Sequence, residues 1–250
     1  MKIAFLIPST SKNRDEWKNI KDSYLYNYTI KSFLNTMDKE HQYCFYIGYD
    51  ENDRIYSIKT EQNIIHKFTK VFDNVIFKFI PLNIEKGFLT KMWNYLFKMA
   101  YDEDYDYFYQ TGDDINFKTK GWINSSIDIL MQNNNIGLSG PMNNNNRILT
   151  QAMVSRKHMD IFGFFFPEQI KNWCCDDWYN WVYQPKFFYP LKNHYCSNDG
   201  GNPRYVINND DNYNKNMNEN TIKLRNYTML LANKNKLKIK NYIMNNSSNN

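Results

Sequence analysis

At 250 residues, with 42% hydrophobic and 17% aromatic content, the chain has the make-up of one large domain able to bury its own core. No apolar run approaches a bilayer-spanning length, and the four cysteines (Cys44, Cys174, Cys175, Cys196) show neither the density of a secreted scaffold nor a CxxC pair for zinc or redox work. The net charge of +5 comes from scattered lysines, which suits either an anionic partner or a solvated Lys/Asn surface.

A reducing compartment follows from the cysteine usage, so the expected location is cytoplasmic, soluble or peripherally membrane-associated. The sequons at Asn27, Asn124, Asn226 and Asn245 are what an Asn-rich chain produces by chance. The opening apolar stretch is short and meets Pro8 at once, so it reads as a first strand and not as a signal peptide.

Residues 2–7 (KIAFLI) form a continuous apolar run, as expected of a strand buried on both faces. Residues 15–37 carry Trp17, Ile20, Tyr24, Tyr28, Phe33 and Leu34 at helical spacing. A second strand is expected at 43–47, stopped by Gly48, and a helix at 55–70. A third strand follows at 75–80, stopped by Pro81, and then a helix at 86–100. The aromatic strand 105–111 is the fourth. Beyond it come a helix at 119–131, strands at 136–140 and 148–155, an aromatic loop at 159–167, a helix at 171–183, and short strands at 186–189 and 205–207. The chain turns Asn-rich from residue 208, with a helix at 221–232. A single domain over 1–240 is expected, followed by a low-complexity, disordered tail at 241–250.

Strands alternating with helices at this spacing predict a mostly parallel central sheet with right-handed crossovers. Ligands of such sheets bind beyond the carboxyl ends of the strands. Those ends here are Ser9-Thr10, Asp50 to Asp53, and Gly112-Asp113-Asp114. Two adjacent carboxylates after a buried strand repel each other and call for a cation or strong donors, and all-oxygen ligands suit Mg²⁺ or Mn²⁺. An Asp pair capping the next helix is the structural alternative.

Taken together, the GDD at a strand end, the Pro-Ser-Thr loop, the acidic strand end and a DDW after the FGFFFP loop resemble the GT-A class of nucleotide-sugar glycosyltransferases, closest to its inverting, family-two-like group. The resemblance runs from about Lys2 to Arg204, through short and degenerate motifs. It implies a GT-A-like three-layer α/β/α sandwich, a Mn²⁺ or Mg²⁺ cofactor, a nucleotide-sugar donor (UDP-linked) and a glycan, lipid-linked or protein acceptor.

Position by position, Gly112-Asp113-Asp114 stands where the family has its DxD element. Gly112 replaces the first Asp, and Asp114 is implied as the metal ligand with Asp113 as helper. Pro8, Ser9 and Thr10 match the nucleotide-lining loop, Asp50 and neighbouring Asp53 the acidic strand end, and Lys91 and Asn94 a further nucleotide contact. Asp177 is implied as the catalytic base with Asp176 orienting it, His194 as a third metal ligand, and Arg204 as a phosphate contact. Gly163 to Phe166 and Trp173, Trp178 and Trp181 are candidate acceptor platforms.

Dinucleotide, P-loop, zincin and α/β-hydrolase signatures are absent from the sequence. Two other readings stand beside the first. One is a nucleotidyltransferase, although PSTSKNR lacks the glycines its first loop would need. The other is a binding module using the basic segment 234–240, which could also rest on an anionic membrane; nucleic acid is not an expected partner.

Overall fold

The computed structural model describes residues 1–145, 147–200 and 217–247. Its centre is β1 (Lys2–Ser9), where Ile3 to Ile7 are fully buried. Strand periodicity sends Ile3, Phe5 and Ile7 into one core and Ala4 and Leu6 into the other. β1 therefore needs cover on both faces and takes an interior place in the sheet.

On one side of β1 lies β2 (Gln42–Asp50), followed by β3 (Val75–Leu82); on the other lies β4 (Tyr107–Gln110). All four are parallel. Past β4 come β7 (Ala152–Ser155) and β6 (Leu138–Met142), each antiparallel to its predecessor, then β8 (Phe188–Asn198), parallel to β6. β5 (Ile115–Phe117) closes that edge antiparallel to β8, giving the order β3-β2-β1-β4-β7-β6-β8-β5.

Helices cover both faces, as the three-layer α/β/α expectation requires. One layer contains a π-helical stretch (Leu25–Ile30), α1 (Lys31–Thr36), α2 (Lys59–Thr69) and α4 (Trp122–Gln132), packed over Phe5, Phe45 and Trp122. The other contains α3 (Leu89–Asp102), α5 (Lys157–Phe162), α6 (Cys175–Tyr183) and α7 (Met217–Ser247), over Leu6, Phe108 and Trp178. The rings interlock: Phe5 stacks on Phe45 at 4.7 Å and Phe117 on Trp122 at 4.8 Å. Such pairs contribute about 1 kcal/mol each beyond the area they bury.

Several boundaries differ from expectation for identifiable reasons. The helix expected over 15–37 is broken, because Asn19 and Asp22 form a capping box and Ser23 Oγ takes the Ile20 carbonyl. β2 passes through Gly48 because a side chain there would collide with Leu82 Cδ1, 2.6 Å from the Cβ position; this glycine serves close packing and does not end the strand. Pro81 is tolerated inside β3 because β3 is an edge strand.

The loop expected at 159–167 begins as α5, and the helix expected from 171 starts at Cys175. The short strand expected at 186–189 is the start of β8. β5 carries no strand signal of its own, and its backbone is held by Thr29 Oγ1 and Ser32 Oγ, which accept from Ile115 N and Phe117 N at 3.1 and 3.0 Å. α7 is longer than expected and remains helical to Ser247, into the segment expected to be disordered from 241. The strand expected at 205–207 lies outside the described residues.

Candidate functional site

The parallel strands end on one edge, where two recesses open. The first, about 470 Å³, is bounded by the loops after β1, β2 and β3 and lined by Thr10, Asp50, Asp53 and Lys86. Asp53 is buried at its centre and organises it. Its carboxylate accepts from Thr10 Oγ1 (3.1 Å), Ser11 N (2.7 Å), Ser11 Oγ (2.8 Å), Ile55 N (3.0 Å) and Tyr56 N (2.9 Å). With five protein donors on its two oxygens, Asp53 clamps the loops together and does not offer its carboxylate outward as a nucleotide contact. Thr10 is part of the same clamp. Asp50 opens into the recess, its pKa raised by burial and by Asp53, against the lowering pull of Lys86 and Lys12.

The second recess, about 710 Å³, lies where β4 ends against the loop after β6 and the start of α6. Pro8, Trp93, Gln110, Gly112, Asp114, Arg147, Trp173 and Asp176 line it. Trp93 is fixed by an indole N–H donated to the Leu6 carbonyl at 3.2 Å. The Asn-rich rim is not featureless: Asn143 Oδ1 accepts from Asn145 N at 2.7 Å and Asn145 Oδ1 from Arg147 N at 3.0 Å, successive side-chain turns that set the loop's path.

The two acids of the GDD turn separate. Asp113 is fully buried, accepts a hydrogen bond from Ser9 Oγ at 2.5 Å, and ties the β1 loop to the β4 loop. Asp114 lines the cleft. Gly112 now has a physical reason, because a Cβ there would lie 2.6 Å from Asp114 Oδ1. Gly200 presses on the same carboxylate from the other side, so two glycines leave Asp114 the room that side chains would take. A side chain at position 112 would thus crowd the Asp114 carboxylate.

The acids of the DDW motif also separate, in the opposite sense to expectation. Asp176 lines the cleft, while Asp177 lies behind it, with Arg147 Nη1 at 3.9 Å and Arg225 Nε of α7 at 3.8 Å from its Oδ1. Burial, reinforced by the charge of Asp177, pushes Asp176 up to about 7, even though its Oδ1 accepts from Asp177 N at 3.0 Å. Asp177 is raised too, by burial, against the pull of the two arginines.

Other candidates are placed elsewhere. Asn94 donates to the Phe166 carbonyl (2.8 Å) and accepts from Phe165 N and Phe166 N, which fastens the FGFFFP loop to α3. Lys91 sits beside Glu168 and over the Phe88 ring, outside both recesses. His194 lies toward the start of α4, its ring nitrogens 3.0 Å from Ser125 Oγ and 3.3 Å from Thr119 Oγ1, and it is not among the residues that line the recess with Asp114. Trp178 is core and Trp181 is half-buried, whereas Trp173 stays exposed on the cleft. Arg204 lies outside the described residues.

Among the described residues, no cluster of three or more His, Cys, Asp or Glu could hold a metal ion alone. A hard divalent ion often needs only one or two carboxylates, with water and substrate phosphates completing its shell. The Asp114 carboxylate, set on an open cleft among amide side chains, fits that kind of site.

Gln110, Trp93, Arg147 and the asparagine rim were not singled out in the sequence, because no motif marks them. The one available signal was position: Gln110 ends β4, and the rim follows β6.

No family model matches this chain, and no curated protein matches it in sequence. Among solved structures, residues 1–349 of S. aureus TarS in complex with UDP-GlcNAc superimpose with a TM-score of 0.55 at 13% identity, over 82% of this chain and 62% of that one. The complex with UDP gives 0.54 at 13% identity, over 79% and 60%. A longer TarS structure gives 0.52 at 13% identity, over 78% of this chain and 36% of its own length. This chain therefore spans less than two thirds of the structures it resembles, and at such identity the likeness is one of fold: a GT-A-like α/β/α sandwich.

Proposed function

We propose that the protein is a glycosyltransferase that moves a sugar from a nucleoside diphosphate, UDP in the first instance, to an acceptor hydroxyl with inversion. The observation that carries this reading is the second recess, where Asp114 from the end of β4 and Asp176 from the first turn of α6 line one cleft. It is supported by a fold shared with a protein whose structures hold UDP and UDP-GlcNAc.

The nucleoside lies in the first recess, whose walls Asp53 holds in place, with Asp50 available to its hydroxyl or base N–H groups. The diphosphate points toward Asp114. A divalent ion, Mn²⁺ or Mg²⁺, held by Asp114 would neutralise the charge that develops on the leaving diphosphate. Asp176 is the base, a reassignment from Asp177 that follows from which carboxylate opens on the cleft. Its pKa near 7 suits a group that must be ionised to accept a proton at neutral pH.

The acceptor hydroxyl gives its proton to Asp176 as its oxygen bonds to the anomeric carbon. The bond from that carbon to the diphosphate oxygen breaks, and nucleoside diphosphate leaves with the electron pair. Asp177, between Arg147 and Arg225, holds Asp176 through its backbone N–H. Trp173 offers an apolar face to an acceptor, whether glycan, lipid-linked or protein.

Thermal unfolding with a panel of nucleotide sugars, with and without Mn²⁺, followed by product analysis, tests the reading. A donor that binds should raise the melting temperature, and turnover should release nucleoside diphosphate. Release of pyrophosphate would replace the proposal with nucleotidyl transfer, and indifference to every nucleotide sugar would overturn both.

A further inference from the structure

α7 is about 46 Å long at 1.5 Å per residue and is apolar on two sides. Its inner side packs Ala232 and Ile239 into the core, with Leu231, Tyr242 and Ile243 against it, and Asn235 accepts from the Trp178 indole at 3.2 Å. Its outer side repeats Ile222, Met229, Leu237 and Met244 two turns apart, all exposed, with Leu230 beside them at 66% exposure. A helix buried on one side only would carry polar residues in those places.

The charge is as one-sided as the apolar stripe is unexpected. From Thr221 to Ser247 the helix carries Lys223, Arg225, Lys234, Lys236, Lys238 and Lys240 and no acid. Arg225 turns to Asp177 and Lys238 to the Phe162 carbonyl, while Lys236 and Lys240 make no ion pair among the described residues. These two stand with Lys186 around a second feature, an apolar hollow of about 320 Å³ floored by Val182, Tyr183, Phe187, Ile239 and Ile243. An apolar hollow ringed by three ammonium groups matches an amphiphile with an anionic head.

We infer that the outer side of α7 and this hollow dock the protein on a bilayer containing anionic phospholipid. The apolar stripe enters the headgroup boundary, the lysines meet lipid phosphates, and the hollow receives an acyl segment. Charge complementarity selects this occupant: the one acid of α7, Glu219, is paired with Lys223, so the basic stretch from Thr221 onward disfavours a second copy of itself, and five exposed apolar side chains along one side disfavour nucleic acid. Among the described residues no helix is long and apolar enough to cross a membrane.

Flotation of the full chain with phosphatidylcholine vesicles, with and without phosphatidylglycerol, tests this. Binding should need the anionic lipid and fall with salt. Each lysine contact is worth about fivefold in partition, so the double variant Lys236→Glu, Lys240→Glu should bind more than about twentyfold more weakly, and Leu230→Ser with Leu237→Ser should also release it. Leu230, Leu237 and Lys240 are exposed and Lys236 is half-buried at the rim of the hollow, away from both recesses, so melting temperature and nucleotide-sugar binding without vesicles should stay at wild-type values; that readout keeps this inference separate from the enzymatic one. Equal binding to neutral vesicles, no flotation at all, or a wild-type dimer dispersed by Leu237→Ser would overturn it.

Discussion

Asp53 and Asp176 are acids on the same edge of one sheet, and the protein uses them oppositely. Asp53 is saturated by five donors from its own loops. Asp176 is held by little more than backbone N–H groups beside a second carboxylate, and its pKa rises to about 7. The same contrast divides Asp113, buried beneath Ser9, from Asp114 on the cleft. Acids buried and bonded within the fold build the site, and acids that line the cleft face a ligand.

The largest effect should come from the cleft acids. Asp114→Ala and Asp176→Asn are each expected to lower transfer on the order of 10³-fold, measured as nucleoside diphosphate released. Asp176→Asn should keep donor binding, and near-wild-type transfer by it would return the base role to Asp177.

Asp53→Ala should instead unfold the protein more easily, by about 3 kcal/mol, because Ser11, Ile55 and Tyr56 would lose the acceptor of their buried N–H groups. Urea denaturation reads this directly. A variant of wild-type stability with lost nucleotide binding would show that Asp53 is a ligand after all.

The pH dependence sharpens the contrast. The folded-state pKa of Asp176 is raised above its unfolded value, so the folded protein keeps a proton that the unfolded chain releases. The stability it contributes is present at low pH and is lost as pH rises through about 7. Over that interval activity should climb while the melting temperature declines. Asp176→Asn should flatten the decline and leave the protein about 1–2 kcal/mol more stable at alkaline pH, a discounted figure because the carboxylate opens on the cleft.

Smaller changes are expected at the margins. Trp173→Ala should raise the acceptor KM about five- to tenfold with kcat little changed, if an apolar ring face holds the acceptor. His194→Ala should leave metal dependence as it was, since its ring faces Thr119 and Ser125. A shifted Mn²⁺ requirement in that variant would restore it as a ligand.

The parallel core was legible because strands buried on both faces are apolar throughout, as residues 3–7 and 43–47 are. The helices α2, α3 and α4 were legible from their spacing. β5 was not, since three residues carry no periodicity and its backbone is satisfied by hydroxyls some 85 positions earlier in the chain. The strand-end acids could be named from the sequence as a group, because polar residues directly after an apolar strand mark its carboxyl end. The resemblance already set Asp114 ahead of Asp113 and Asp177 ahead of Asp176; only the folded structure showed that Asp113 is buried beneath Ser9 and that Asp176, not Asp177, lines the cleft. Adjacent residues share a sequence context but point in different directions, and a carboxylate's chemistry depends on which donors and charges surround it in space.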